Sequence, residues 1–81
     1  MEKESLLITI ATVIKKRRLQ NGLSQEDLAF SSGLDRTYIS GVERGIRNLT
    51  INSLEAIIKG LGISKKEFLQ DIINFLGEKD E

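Results

Sequence analysis

The side chains in this sequence that could do chemistry fall into two sets: adjacent carboxylates at Glu26 and Asp27, and a cationic, hydroxylated run of Arg36, Thr37, Ser40 and Arg44. Histidine and cysteine are both absent. That removes the usual general base, the commonest neutral metal ligand, a thiolate nucleophile and any disulfide. Catalysis would have to rest on carboxylates, yet neighbouring residues on a helix do not converge on one point. Acidic residues in a first helical turn are explained by the positive end of the helix dipole. No enzyme, metal or cofactor is therefore expected. Arginine with serine and threonine is a different set, because these groups hydrogen-bond the base edges and phosphates of DNA.

Two short helices must position that run. Ser24 stands where an N-cap belongs, with Asp27 three residues on as an approximate capping box. Leu28 and Ala29 begin an apolar face, and Gly33 interrupts it at a left-handed position where a Cβ is penalised. Leu34 closes the turn, Asp35 caps the next helix, and Ile39 and Val42 lie one turn apart beneath it. From Ser24 to Gly45 this is the helix-turn-helix pattern, whose second helix is the candidate reader of DNA. At about 100° per residue, Arg44, Gly41 and Ser40 fall within roughly 60° of Thr37, while Ile39 and Val42 fall opposite. Arg36 and Tyr38 flank the polar face on either edge. An ordinary amphipathic helix with a solvated polar face stays open on the wheel alone; the glycine-containing turn before it favours DNA.

The 81 residues around this stretch read as one all-α domain, 1–81, with no proline and no low-complexity linker to divide it. The segment LLITIATVI would suit a strand by local propensity. Leu7, Ile10, Ile14 and then Arg17 or Arg18 nevertheless recur at helical spacing and run into KKRRLQ, so a first helix over about residues 5–21 is predicted, stopped by Asn21-Gly22. After Gly45 and the loop Ile46 to Leu49, Thr50 caps a fourth helix with Leu54, Ile57, Ile58 and Leu61 on one face, and Gly60 and Gly62 bracket its end. Ser64-Lys65-Lys66-Glu67 is a full capping box ahead of a fifth helix over about residues 65–76, stopped by Gly77 and followed by a frayed charged tail.

The apolar run from Leu6 to Ile14 is nine residues long, too short to span a bilayer, and no cleavage site follows it. A cytoplasmic protein without membrane contact is expected. Net charge is zero, but residues 15–47 carry seven basic side chains against four acidic ones, and residues 64–81 carry three against five. A basic first half and an acidic tail suit one nucleic-acid face. Phe68, Leu69, Ile72, Ile73, Phe75 and Leu76 spread over roughly 160° of the fifth helix, against the usual core-facing stripe of about 100°. A partner subunit covering Phe68, Ile72, Phe75 and Leu76 is the expected explanation; the alternative is that all of them wrap into the domain's own core.

Gln25, Ala29, Gly33, Leu34, Ile39 and Val42 stand at spacings that resemble the phage-repressor and Cro type of helix-turn-helix protein. Across LDRTYISGVERGIRNLTINSLEAIIKGLGIS the chain is similar to the controller proteins of restriction–modification systems, over about residues 7–76 and most densely over 24–63. The resemblance implies a compact five-helix bundle that dimerises and binds pseudo-palindromic operators. It also implies two dimers on one DNA, activation at one occupancy and repression at a higher one, so that endonuclease expression waits until methylation protects the host. Carried over position by position, Arg36, Thr37, Tyr38 and Ser40 are the groove residues, with Arg36 bidentate to a guanine and worth about 1–3 kcal/mol of discrimination. Gln25, Arg44, Arg47 and Asn48 suit phosphate contacts. For Tyr38 a groove contact and a half-buried packing role both remain open. Activation would call for RNA polymerase as a further partner, with Glu26, Asp27 and Glu43 as the acidic candidates to meet it. An antitoxin or phage-type repressor of the same fold, or a helical interaction module without DNA, are the competing readings.

Overall fold

The structure, a computed structural model, describes residues 5–79. Five helices follow one another: α1 (Leu6–Gln20), α2 (Gln25–Ser32), α3 (Arg36–Glu43), α4 (Ile51–Leu61) and α5 (Lys65–Lys79). Among the described residues there is no strand, so the β-branched start of α1 is helical despite its local preference. The reason is tertiary: Val13 and Ile14 are buried in the common core, and Ser5 caps the helix by accepting from the Ile8 N–H at 3.1 Å.

The starts and stops follow local chemistry. Ser24 and Asp27 exchange two hydrogen bonds, both 2.9 Å. The Ser24 backbone N–H, and after it the Ser24 side chain, hold the Asp27 carboxyl below the usual carboxylate range. Asp35 accepts from the Thr37 N–H, Thr50 from the Ser53 N–H, and Ser64 and Glu67 exchange a second reciprocal pair. Three helices end the same way, with a glycine followed by an apolar residue whose N–H reaches back five positions: Leu23 to the Arg18 carbonyl, Leu34 to that of Ala29 and Ile46 to that of Gly41. This is the Schellman closure. Gly33 has φ +74°, and a Cβ added there would meet nothing within 4 Å, so backbone conformation and not space demands glycine at the turn.

Leu28, Ile39, Val42, Ile57, Phe68 and Ile14 form the fully buried centre. The helix pair α2 and α4 packs most closely. A Cβ on Gly60 would come within 3.0 Å of both the Ser31 hydroxyl and the Ser32 backbone nitrogen, and Ser31 donates to the Gly60 carbonyl at 2.9 Å. Gly60 and Gly62 bracket the end of α4 as expected, the helix running to Leu61 with Gly62 as its left-handed cap; Gly60 is also the point where α4 comes closest to α2. Arg17 grips Asp71 with two hydrogen bonds of 2.9 and 3.0 Å, pinning α5 to α1.

Two expectations for α5 are corrected. Phe68 and Ile72, expected at a dimer interface, are only 1% and 8% exposed and belong to the subunit's own core, because that side of α5 lies against α1 and α4. Phe75 and Leu76 are half-buried against the same core. The apolar surplus sits one step round the helix, at Leu69 and Ile73, which are 59% and 60% exposed. Gly77 does not stop α5, which continues through Lys79; Asp80 and Glu81 of the expected frayed tail lie outside the described residues. Gly77 is exposed, has no positive φ, and a Cβ there would meet nothing within 4 Å. Gly77→Ala should therefore raise stability by about 0.5–1 kcal/mol, read as an upward shift in thermal midpoint; a downward shift would contradict the helical assignment.

Candidate nucleic-acid interface

α3 is held down from one side. Ile39 and Val42 have no exposed surface, which fixes the opposite face of an eight-residue helix towards solvent. Arg36, Thr37 and Arg44 are exposed there, and Tyr38 and Ser40 are half-exposed. Gly41, placed on this face by the wheel, is buried. An added Cβ would lie 3.3 Å from the Arg47 Cβ, so its lack of a side chain lets the loop after α3 close over the helix.

That loop is anchored on Tyr38. The phenol donates to the Asn48 carbonyl at 3.2 Å, and the Arg47 guanidinium lies 5.0 Å from the ring centroid, within cation–π range. Tyr38 is thus half-buried and engaged at both its hydroxyl and its ring face, and it brings Arg47 and Asn48 to the same side of the molecule as α3. Both are exposed.

The acid on α3 faces the other way. The Glu43 side chain is 2% exposed and takes two hydrogen bonds from Arg18, Nε at 2.6 Å and Nη2 at 3.0 Å. Gln25 adds a third to Glu43 through Nε2 at 3.1 Å, and Arg18 also donates to the Leu23 carbonyl at 2.7 Å. The hydrogen bond with Glu43 holds the Arg18 guanidinium above its ordinary range, against the opposing pull of burial. Glu43 is therefore no candidate for an exposed polymerase contact, a correction to the sequence reading. Asp27 is committed to its cap, and Glu26 pairs with Arg36, whose Nε lies 3.1 Å from Glu26 Oε2. Gln25, expected to meet a phosphate, spends one donor on Glu43, tying α2 to α3. With Glu43 turned inward and paired, the charges on the outward face of α3 and its loop are those of Arg36, Arg44 and Arg47. The buried Arg18–Glu43–Gln25 network was missed in the sequence. The one signal for it was an arginine falling on the apolar spacing of the first helix.

No cluster of acidic, histidine or cysteine side chains able to hold a metal occurs among the described residues, and no helix there is long and apolar enough to cross a membrane. The arrangement can present donors and cations to an extended anion. A helix-turn-helix family model matches residues 14–68. The chain belongs to the helix-turn-helix family. Within the family it is similar to control protein C.BamHI of Bacillus amyloliquefaciens, 47% identical over 53 residues, or 65% of each chain; the match thus spans just under two thirds of that relative. Control protein C.MunI of Mycoplasma sp is 47% identical over 58 residues, 72% of this chain and 78% of its own. Among solved structures, the restriction–modification controller protein C.Esp1396I superposes with a TM-score of 0.85 at 56% identity, covering 89% of this chain and 95% of its own. That protein has been solved as a tetramer in complex with its natural 35 base-pair operator. It has also been solved with an arginine, a threonine and a tyrosine, consecutive in its chain, individually replaced.

Proposed function

We propose that this chain is a sequence-specific transcriptional regulator, the controller protein of a restriction–modification system, acting as a homodimer on a pseudo-palindromic operator that controls its own gene and that of the endonuclease. The observation that carries the reading is the outward face of α3. Arg36 and Thr37 are exposed and Ser40 half-exposed on a helix anchored by Ile39 and Val42, with the acid of that helix turned inward. The run Arg36-Thr37-Tyr38 repeats the order of the three residues replaced in C.Esp1396I. Arg36, Thr37, Tyr38 and Ser40 meet the bases, Tyr38 also fixing the loop. Gln25, Arg44, Arg47 and Asn48 meet phosphates and set the register. Leu69 and Ile73, with the half-buried Phe75 and Leu76 beside them, face a second copy across a two-fold axis.

Footprinting upstream of the chain's own gene tests this reading. Protection of two half-sites about 34–36 Å apart, one turn of DNA, is expected; a single unpaired site or no protection would overturn it. Arg36→Ala should weaken binding to the protected sequence by about 1–3 kcal/mol while leaving binding to unrelated duplex nearly unchanged, measured by titration at one fixed salt concentration. Equal losses on both would make Arg36 a phosphate contact. A methyltransferase gene and an endonuclease gene beside it would separate the controller role from that of a phage-type repressor.

A further inference from the structure

We propose that Glu26 is a specificity-positioning residue, a carboxylate on α2 that buttresses Arg36 of α3 so that the guanidinium is already aimed when it meets a guanine. The inference rests on the reading of Arg36 as a base contact. The contact is between two helices and two side chains ten positions apart: Nε of Arg36 lies 3.1 Å from Oε2 of Glu26. A guanidinium is planar, with its donors in a fixed fork. A carboxylate at the Nε side therefore restricts rotation of the plane, while the far pair of nitrogens is the edge that suits guanine O6 and N7. Arginine carries large rotamer entropy when free, and limiting that freedom before binding strengthens the bound state without adding a contact.

Stability does not account for the pair. Its side chains are 54% and 68% exposed, and exposed pairs contribute little to folding. Nor is Glu26 required to cap α2, since Ser24 and Asp27 complete that box. A carboxylate this close to DNA repels phosphate on every sequence alike, whereas a buttress acts only where Arg36 has a guanine to find. The two roles thus separate in the ratio of affinities and not in either affinity alone.

The test begins with selection of a binding site by the wild-type chain from a pool of random 35-base-pair duplexes (the operator length solved with C.Esp1396I). Affinities are then measured for the selected duplex and for duplexes with each selected guanine replaced, using wild type, Glu26→Gln, Arg36→Ala and the double variant. With Glu26→Gln, the preference for one guanine should fall on the order of threefold, the scale of an exposed ion pair. Binding to the substituted duplex should meanwhile tighten, and the thermal midpoint should stay put. In the Arg36→Ala background Glu26→Gln should leave the guanine preference unchanged. An unaltered preference in the single variant would overturn the proposal, as would an equal loss in both backgrounds. Failure of the wild-type chain to enrich any sequence would overturn the DNA reading itself and this inference with it, a result distinct from the other two.

Discussion

Glu43→Ala is expected to cost about 3–5 kcal/mol of folding stability, because it leaves a buried guanidinium without its counter-charge. Arg18 is 6% exposed and would keep only its hydrogen bond to the Leu23 carbonyl. Arg18→Ala should cost a similar amount, leaving the buried Glu43 carboxylate without its counter-charge and with the Gln25 amide as its one remaining hydrogen-bond donor. Single domains have about 5–15 kcal/mol in total, and a chain of this size belongs near the low end. Either variant should thus lower the thermal midpoint by about 12 °C or more, measured by circular dichroism or calorimetry. A shift of only a few degrees would mean that the network is solvated in solution. Replacing both ends together, Arg18→Met with Glu43→Leu, is expected to be far milder than either single change, since buried pairs exchanged for apolar residues of similar volume are often neutral or better. That contrast separates what the network does from what it is worth. It joins α1, the start of α2 and the end of α3 through one carboxylate, so it fixes how an eight-residue recognition helix is set on its platform.

The features that were legible in the sequence are those written within one or two turns. Ser24 with Asp27, Asp35, Thr50, and Ser64 with Glu67 could each be read as caps because both partners lie within three residues, and each is hydrogen-bonded as expected. The outward face of α3 was legible for the same reason, since Ile39 and Val42 alone decide which side points in. What was not legible depends on neighbours distant in the chain. The wheel of α5 gave the width of its apolar arc but not which part of it faced the core; α1 and α4 choose Phe68 and Ile72 and leave Leu69 and Ile73 outside. Gly77 read as a stop because glycine is a poor helix former, by about 1 kcal/mol, a cost that α5 tolerates at an exposed position. Gly41 and Gly60 have packing roles that appear only once Arg47 and Ser31 are placed against them. Glu43 looked like a surface charge for want of the partner 25 residues earlier.

Leu69→Gln with Ile73→Gln should convert the protein to a monomer without unfolding it. The two residues stand four apart on α5, hence on one side of the helix, and are 59% and 60% exposed in the subunit, so their loss takes little from the core. In a two-fold interface each counts twice. Burying the remaining exposed surface of four such side chains is worth on the order of 4 kcal/mol, or about a thousandfold in the dimer dissociation constant. Glutamine matches leucine closely in helix preference, which keeps α5 itself intact and assigns the change to the interface. Analytical ultracentrifugation over a dilution series measures the constant, with circular dichroism as the control on fold. The consequence for DNA follows from linkage of two reading heads: a subunit that no longer dimerises meets its half-site alone and loses the gain in effective concentration that the second head supplies. Operator affinity should then fall steeply, while the guanine preference we propose for Arg36 within a half-site should survive. Unchanged self-association in the double variant would place the interface elsewhere, and lost preference at an intact fold would mean that α5 reaches the recognition helix by some other route.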